Sequence, residues 1–161
     1  METPVKFVTS LSLVFVLGLV VPAFAQQAGT TNMDILMQKI KADKKLVVAA
    51  NMDLTDAEGK GFWPVYDAYQ ADLQALNQRI GKLVVQYADL YNKQAMTDAA
   101  AKTLLDEAIA IEQAEASLKQ AYVPKLAAVL PMIKVARYIQ IENKIRALVK
   151  YELADGIPLV P

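Results

Sequence analysis

The chain has no cysteine and no histidine. Without cysteine there are no disulfides, no thiol nucleophile and no thiolate metal site. Without histidine, the usual general base near neutral pH and the commonest metal ligand are also missing. Most hydrolytic and transition-metal chemistry loses its central part, so no catalytic residue, metal site or cofactor is expected. Net charge is lacking too: 17 basic residues balance 17 acidic ones. Nothing in that balance draws the chain to nucleic acid or to an acidic surface. No nucleophile elbow, phosphate-binding loop or metal-ligand spacing occurs.

What is present begins with an N-terminal apolar run. Residues 1–25 comprise a short polar start with Lys6, an apolar stretch from Phe7 to Val21, and small residues at Ala23 and Ala25. This three-part pattern predicts a secretory signal peptide cleaved after Ala25 and a protein that is periplasmic or secreted. The stretch is interrupted by Thr9, Ser10 and Ser12 and falls short of the roughly 20 apolar residues of a membrane span. No stable membrane insertion is expected after cleavage. Cleavage would leave 136 of the 161 residues, enough for one domain with a modest core.

The remainder reads as all-α, with residues 26–32 a flexible start, 33–154 a single helical domain and 155–161 an extended apolar tail. A first helix is predicted from Met33 to about Ala50, with Leu36, Ile40 and Val47 on one face. Thr55 and Glu58 form a capping box and start a second helix. Its apolar residues then recur at Phe62, Tyr66, Tyr69, Leu73, Leu76, Ile80, Leu83, Tyr87 and Leu90, alternating steps of four and three. That is a heptad seam of coiled-coil type, which packs lengthwise against other helices. Gly59, Gly61 and Pro64 weaken or bend its early turns.

Thr97 and Asp98 offer the cap of a third helix after a short connection. The short loop makes it antiparallel to the second. Its stripe is Leu104, Ala108, Ile111, Leu118 and Tyr122, interrupted by Glu115, with a bend expected at Pro124. Pro131 fits the first position of a fourth helix, whose stripe is Tyr138, Ile141, Ile145, Leu148 and Val149. Gly156 and Pro158 end it. The architecture is a four-helix elongated hairpin or bundle. The tail beyond it either packs as a strap or serves a partner.

Charged residues on the later helices, among them Asp106, Glu107, Glu112, Glu115, Glu142 and Arg146, read as solvated, ion-paired faces. The aromatic residues Phe62, Trp63, Tyr66 and Tyr69 are the most distinctive chemistry. They either fill the seam as core or, with Met132 and Tyr138, form an adaptable apolar surface that binds other proteins.

Two helix starts repeat weakly: Leu54 and Thr55 with Glu58 and then Phe62, and 76 residues later Leu130 and Pro131 with Lys134 and then Tyr138. An exported precursor with four helices and these starts resembles the Spy/CpxP-type periplasmic proteins, whose hallmark is a repeated Leu-Thr-x-x-Gln motif. Leu54, Thr55 and Leu130 match the hallmark, while Glu58 and Lys134 stand where that family has glutamine. The resemblance implies an ATP-independent chaperone or envelope-stress adaptor. It would act as a helical homodimer that binds exposed apolar segments of unfolded or partly folded envelope proteins. Two departures stand against that transfer: this chain lacks the abundant positive charge of the family's chaperones and the histidines of a metal-sensing relative. The alternative is a non-catalytic structural or interaction protein with one dedicated partner, or one that self-associates through the heptad helix.

Overall fold

Thr55 sets the first firm boundary. Its hydroxyl accepts from the Glu58 amide at 3.3 Å, and the Glu58 carboxylate accepts from the Thr55 amide at 2.8 Å. Both arms of the capping box are therefore made, and two otherwise orphaned amides of the first turn are satisfied. The computed structural model describes residues 43–161. The expected signal peptide, cleavage point and flexible start, and positions 33–42 of the first expected helix, lie outside the described residues.

Four helices make up the described chain: α1 over 43–52, α2 Asp56–Asn92, α3 Asp98–Ala127 and α4 Met132–Gly156. No strand occurs among the described residues. At 37 residues α2 is about 55 Å long. It runs without a break through Pro64, which cannot donate to the ladder but lies exposed on the helix surface.

The end of α2 has no glycine to signal it. Gln94 takes a left-handed φ of 51°, its amide donates to Tyr91 O at 3.1 Å, and the Ala95 amide donates to Leu90 O at 3.0 Å. This is a Schellman closure built on glutamine instead of the usual glycine. Thr97 then caps α3, accepting from the Ala100 amide at 3.2 Å.

Helix α4 starts at Met132, one residue later than expected, so Pro131 is its N-cap and gives no side-chain cap. Its carbonyl still closes the first turn, accepting from Lys134 and Val135 amides at 2.8 and 3.1 Å. Helix α4 also extends to Gly156, two residues beyond the expected domain end.

The helices pack from the heptad seam outward. Phe62, Tyr66, Tyr69, Leu73 and Leu76 of α2 are buried, while Ile80, Leu83, Tyr87 and Leu90 are only half-buried. The core therefore fills the half of α2 near its start. Helix α1 contributes Val48 and Met52, spaced one turn apart, so its buried face lies one residue beyond the Val47 stripe. Helix α3 contributes Ile111, Tyr122 and Leu126, and α4 contributes Val135, Tyr138, Ile145 and Leu148.

Helix α3 runs antiparallel to α2. Ion pairs from Lys134 to Glu58 and hydrogen bonding from Arg146 to Asn77 set α4 parallel to α2. No Cα of α2 comes within 8 Å of one in α4; the wider gap is bridged by aromatic rings.

Candidate functional site

Those rings form one connected cluster. The Phe62 ring centroid lies 5.1 Å from that of Tyr138 and 4.9 Å from that of Trp63, both edge to face. Tyr69 meets Tyr122 at 5.2 Å and Tyr138 at 5.9 Å in the same manner. Edge-to-face contact sets the positive ring edge against a negative face and adds to the apolar burial. Of the two readings open for these aromatics, Phe62, Tyr66, Tyr69 and Tyr138 take the core one. Their burial removes them from any surface offered to a partner.

Two of the six candidate binding residues remain at the surface. Trp63 is half-buried beside an open groove of about 570 Å³ that Leu54, Thr55, Gly59 and Lys60 also line. Met132 is 58 % exposed at the start of α4, next to Ile133 at 75 %.

The two repeated helix starts lie side by side. Lys134 Nζ is 2.6 Å from Glu58 Oε2 and 2.7 Å from the Asp53 carbonyl, so the fifth positions of the two motifs touch directly. Glu58 also accepts from Thr55. Bonds from Lys134 and Thr55 hold its carboxyl below the ordinary carboxylate range. Leu54 is half-buried against the core, Leu130 is buried and Pro131 is exposed.

Asp106 and Glu112 are solvated and ion-paired as expected, but Glu115 and Glu142 are not solvated. Both are buried, at 5 % and 3 % exposure. Glu142 accepts from Lys44 Nζ at 2.7 Å and from Gln70 Nε2 at 2.9 Å, and Gln70 also donates to the Tyr138 hydroxyl at 3.2 Å. This chain ties α1, α2 and α4 together beside the aromatic cluster. Glu115 accepts from Arg146 Nε at 2.7 Å and Lys119 Nζ at 2.8 Å, while Arg146 Nη1 donates to Asn77.

Burial pushes the Glu115 pKa up, but the bonds and charges of Lys119 and Arg146 outweigh it and leave the carboxyl below its usual range. The signal was in the spacing. Glu115 follows Ile111 by four and precedes Tyr122 by seven, and Glu142 follows Tyr138 by four and precedes Ile145 by three. Both stand on the core stripe, where a charge has to be paired.

Glu142 is thus held by a cation of α1 and an amide of α2, and Glu115 by Arg146 of α4 and Lys119 of its own helix, so each works as a joint between helices. Among the described residues no group of three or more acidic side chains gathers as a metal cage. No described helix is long and apolar enough to cross a membrane. No protein-family model matches the chain, and no curated protein or solved structure does either.

Proposed function

We propose that the chain is a non-catalytic, ATP-independent chaperone or stress adaptor of the bacterial envelope that binds exposed apolar segments of partly folded proteins. The observation that carries this reading is the apolar surface left at the helix-start end of the bundle. There the Glu58–Lys134 pair joins α2 to α4, and Trp63 with its groove, Met132 and Ile133 stay accessible. Methionine is unbranched and polarisable, and adapts to clients of different shape. The driving force is burial of client apolar surface, about 25 cal/mol per Å² before ordering costs. Binding on these terms is weak and broad.

The leader-like N-terminus and the paired Leu54-Thr55 and Leu130-Pro131 starts, similar to the Spy/CpxP type, support a periplasmic setting and this activity. The rival reading, self-association through the heptad helix, has less surface to use, since the seam from Phe62 to Leu76 is buried within the chain itself.

The test is aggregation of two unrelated denatured clients with stoichiometric chain and no ATP. Suppression of both is expected, with suppression lost in Met132→Ser/Ile133→Ser at unchanged melting temperature. Failure to protect either client overturns the proposal, and protection of one alone points to a dedicated partner.

A further inference from the structure

The opposite end of the bundle is built differently. Beyond Leu76 and before Ile111, α2 and α3 meet without a fully buried side chain: the Arg79–Glu107 pair, at 2.9 Å, is followed towards the hairpin by half-buried Leu83, Val84, Tyr87 and Leu104, and α4 ends at Gly156. The tail crosses back over this stretch. The Tyr87 hydroxyl donates to the Pro158 carbonyl at 2.8 Å, and Ile157 and Val160 turn towards α2 and α3, whereas Leu159 is 90 % exposed. Between helices and tail lies a groove of about 270 Å³, lined by Leu83, Tyr87, Leu104, Ala108, Ile157 and Val160 among others. Apart from Tyr87, every side chain lining it is aliphatic.

We propose that this strapped groove binds the single alkyl chain of a free amphiphile. The chemistry of the lining chooses the occupant. A peptide strand entering the groove would bring amide and carbonyl groups, each costly to bury without a partner. The one hydroxyl present is already engaged by Pro158. An alkyl chain has no polar group along its length and leaves its head in water at the open mouth.

The size also fits. A cavity of about 150 Å³ lined by Leu, Ile and Phe stays dry and takes up benzene, and this groove, at about 270 Å³, has room for a longer aliphatic body. The tail's own Ile157 and Val160 already sit against it; the Ile157 amide donates to Leu153 O at 3.0 Å at the end of α4, the Tyr87–Pro158 bond ties the next residue to α2, and Val160, 55 % exposed, can shift to admit a chain.

The experiment titrates the full chain with 1-decanol by calorimetry and follows the methyl resonances of Leu83, Leu104, Ile157 and Val160. Saturable one-to-one binding with shifts confined to those methyls is expected. Ala108→Phe, which fills the groove, should weaken it about tenfold or more. Leu105→Trp, at a side chain already 58 % exposed, provides a second block if the first variant misfolds. Absence of saturable binding, or equal affinity in a folded groove-filled variant, overturns the proposal. So does binding to phosphatidylcholine vesicles alone, or equal competition by an apolar decapeptide. Client protection at the other end is read separately and should be unchanged in Ala108→Phe, so either idea can fail without the other.

Discussion

Glu115 and Arg146 meet at 2.7 Å with side-chain exposures of 6 % and 11 %. A pair this deep gains little over an apolar replacement, yet removing one partner strands the other. Glu115→Leu should therefore lower stability by about 3 kcal/mol, and Glu115→Leu/Arg146→Met should recover most of that loss. Urea midpoints of the three proteins check it; additive losses would show the pair is not a unit. Because the folded Glu115 pKa is depressed, its contribution is present above the unfolded carboxyl value of about 4.3 and fades as pH falls through the folded value. Glu115→Gln should flatten that acid limb of the stability profile.

The tyrosines act at the other end of the scale. Tyr66 is pushed up to about 12 by burial, aided by the charges of Glu142, Asp67 and Asp43. Tyr122 is pushed up to about 12 chiefly by donating to Asp72 at 2.6 Å. Raised values mean stability that is whole below about pH 10 and lost as pH rises through the folded values. Ionisation of Tyr66 and Tyr122, followed at their own ring resonances, should thus accompany loss of helix and not precede it. A residue's type did not reveal these environments. Spacing alone marks Glu115 and Glu142 as core-stripe positions, but their partners Arg146 and Lys44, distant in sequence, become visible only when the helices are brought alongside.

Within single elements the sequence was far more legible. The capping box at Thr55, the cap at Thr97 and the seam from Phe62 rest on neighbours a few residues apart, and all formed. The Schellman closure at Gln94 was invisible because its left-handed residue is not glycine. The burial face of α1 was misplaced by one residue because a short stripe is set by what it docks on. Two glycines of α2 separate local from tertiary effects. A Cβ at Gly61 would lie 3.0 Å from Val129 Cβ and 3.1 Å from its Cγ1, whereas one at Gly81 would meet nothing within 4 Å. Alanine gains about 1 kcal/mol of helix propensity at either site. Gly81→Ala should show that gain, while Gly61→Ala should lose about 1 to 2 kcal/mol, because the turn after α3 must move away. Melting temperatures shifting in the same direction for both would refute the close-approach argument.

Across the whole bundle, the buried rings and Glu142 lie towards the start of α2, Glu115 sits near its middle through Arg146 and Asn77, and the α2–α3 hairpin end has only half-buried contacts. Amides in 83–108 should exchange with solvent well before those of 62–76 and 135–148, since local opening follows the density of buried contacts; uniform protection would contradict that gradient. The chain's one tryptophan stands where α1 meets α2, with the Lys45 ammonium 5.1 Å from its ring centre and Lys45 also bound to Asp67. Its emission is therefore an optical gauge of α1. If the short helix lifts away while the tyrosine-lined interior stays closed, the indole will change colour first, and the detachment of one helix can be timed by light without unfolding the rest.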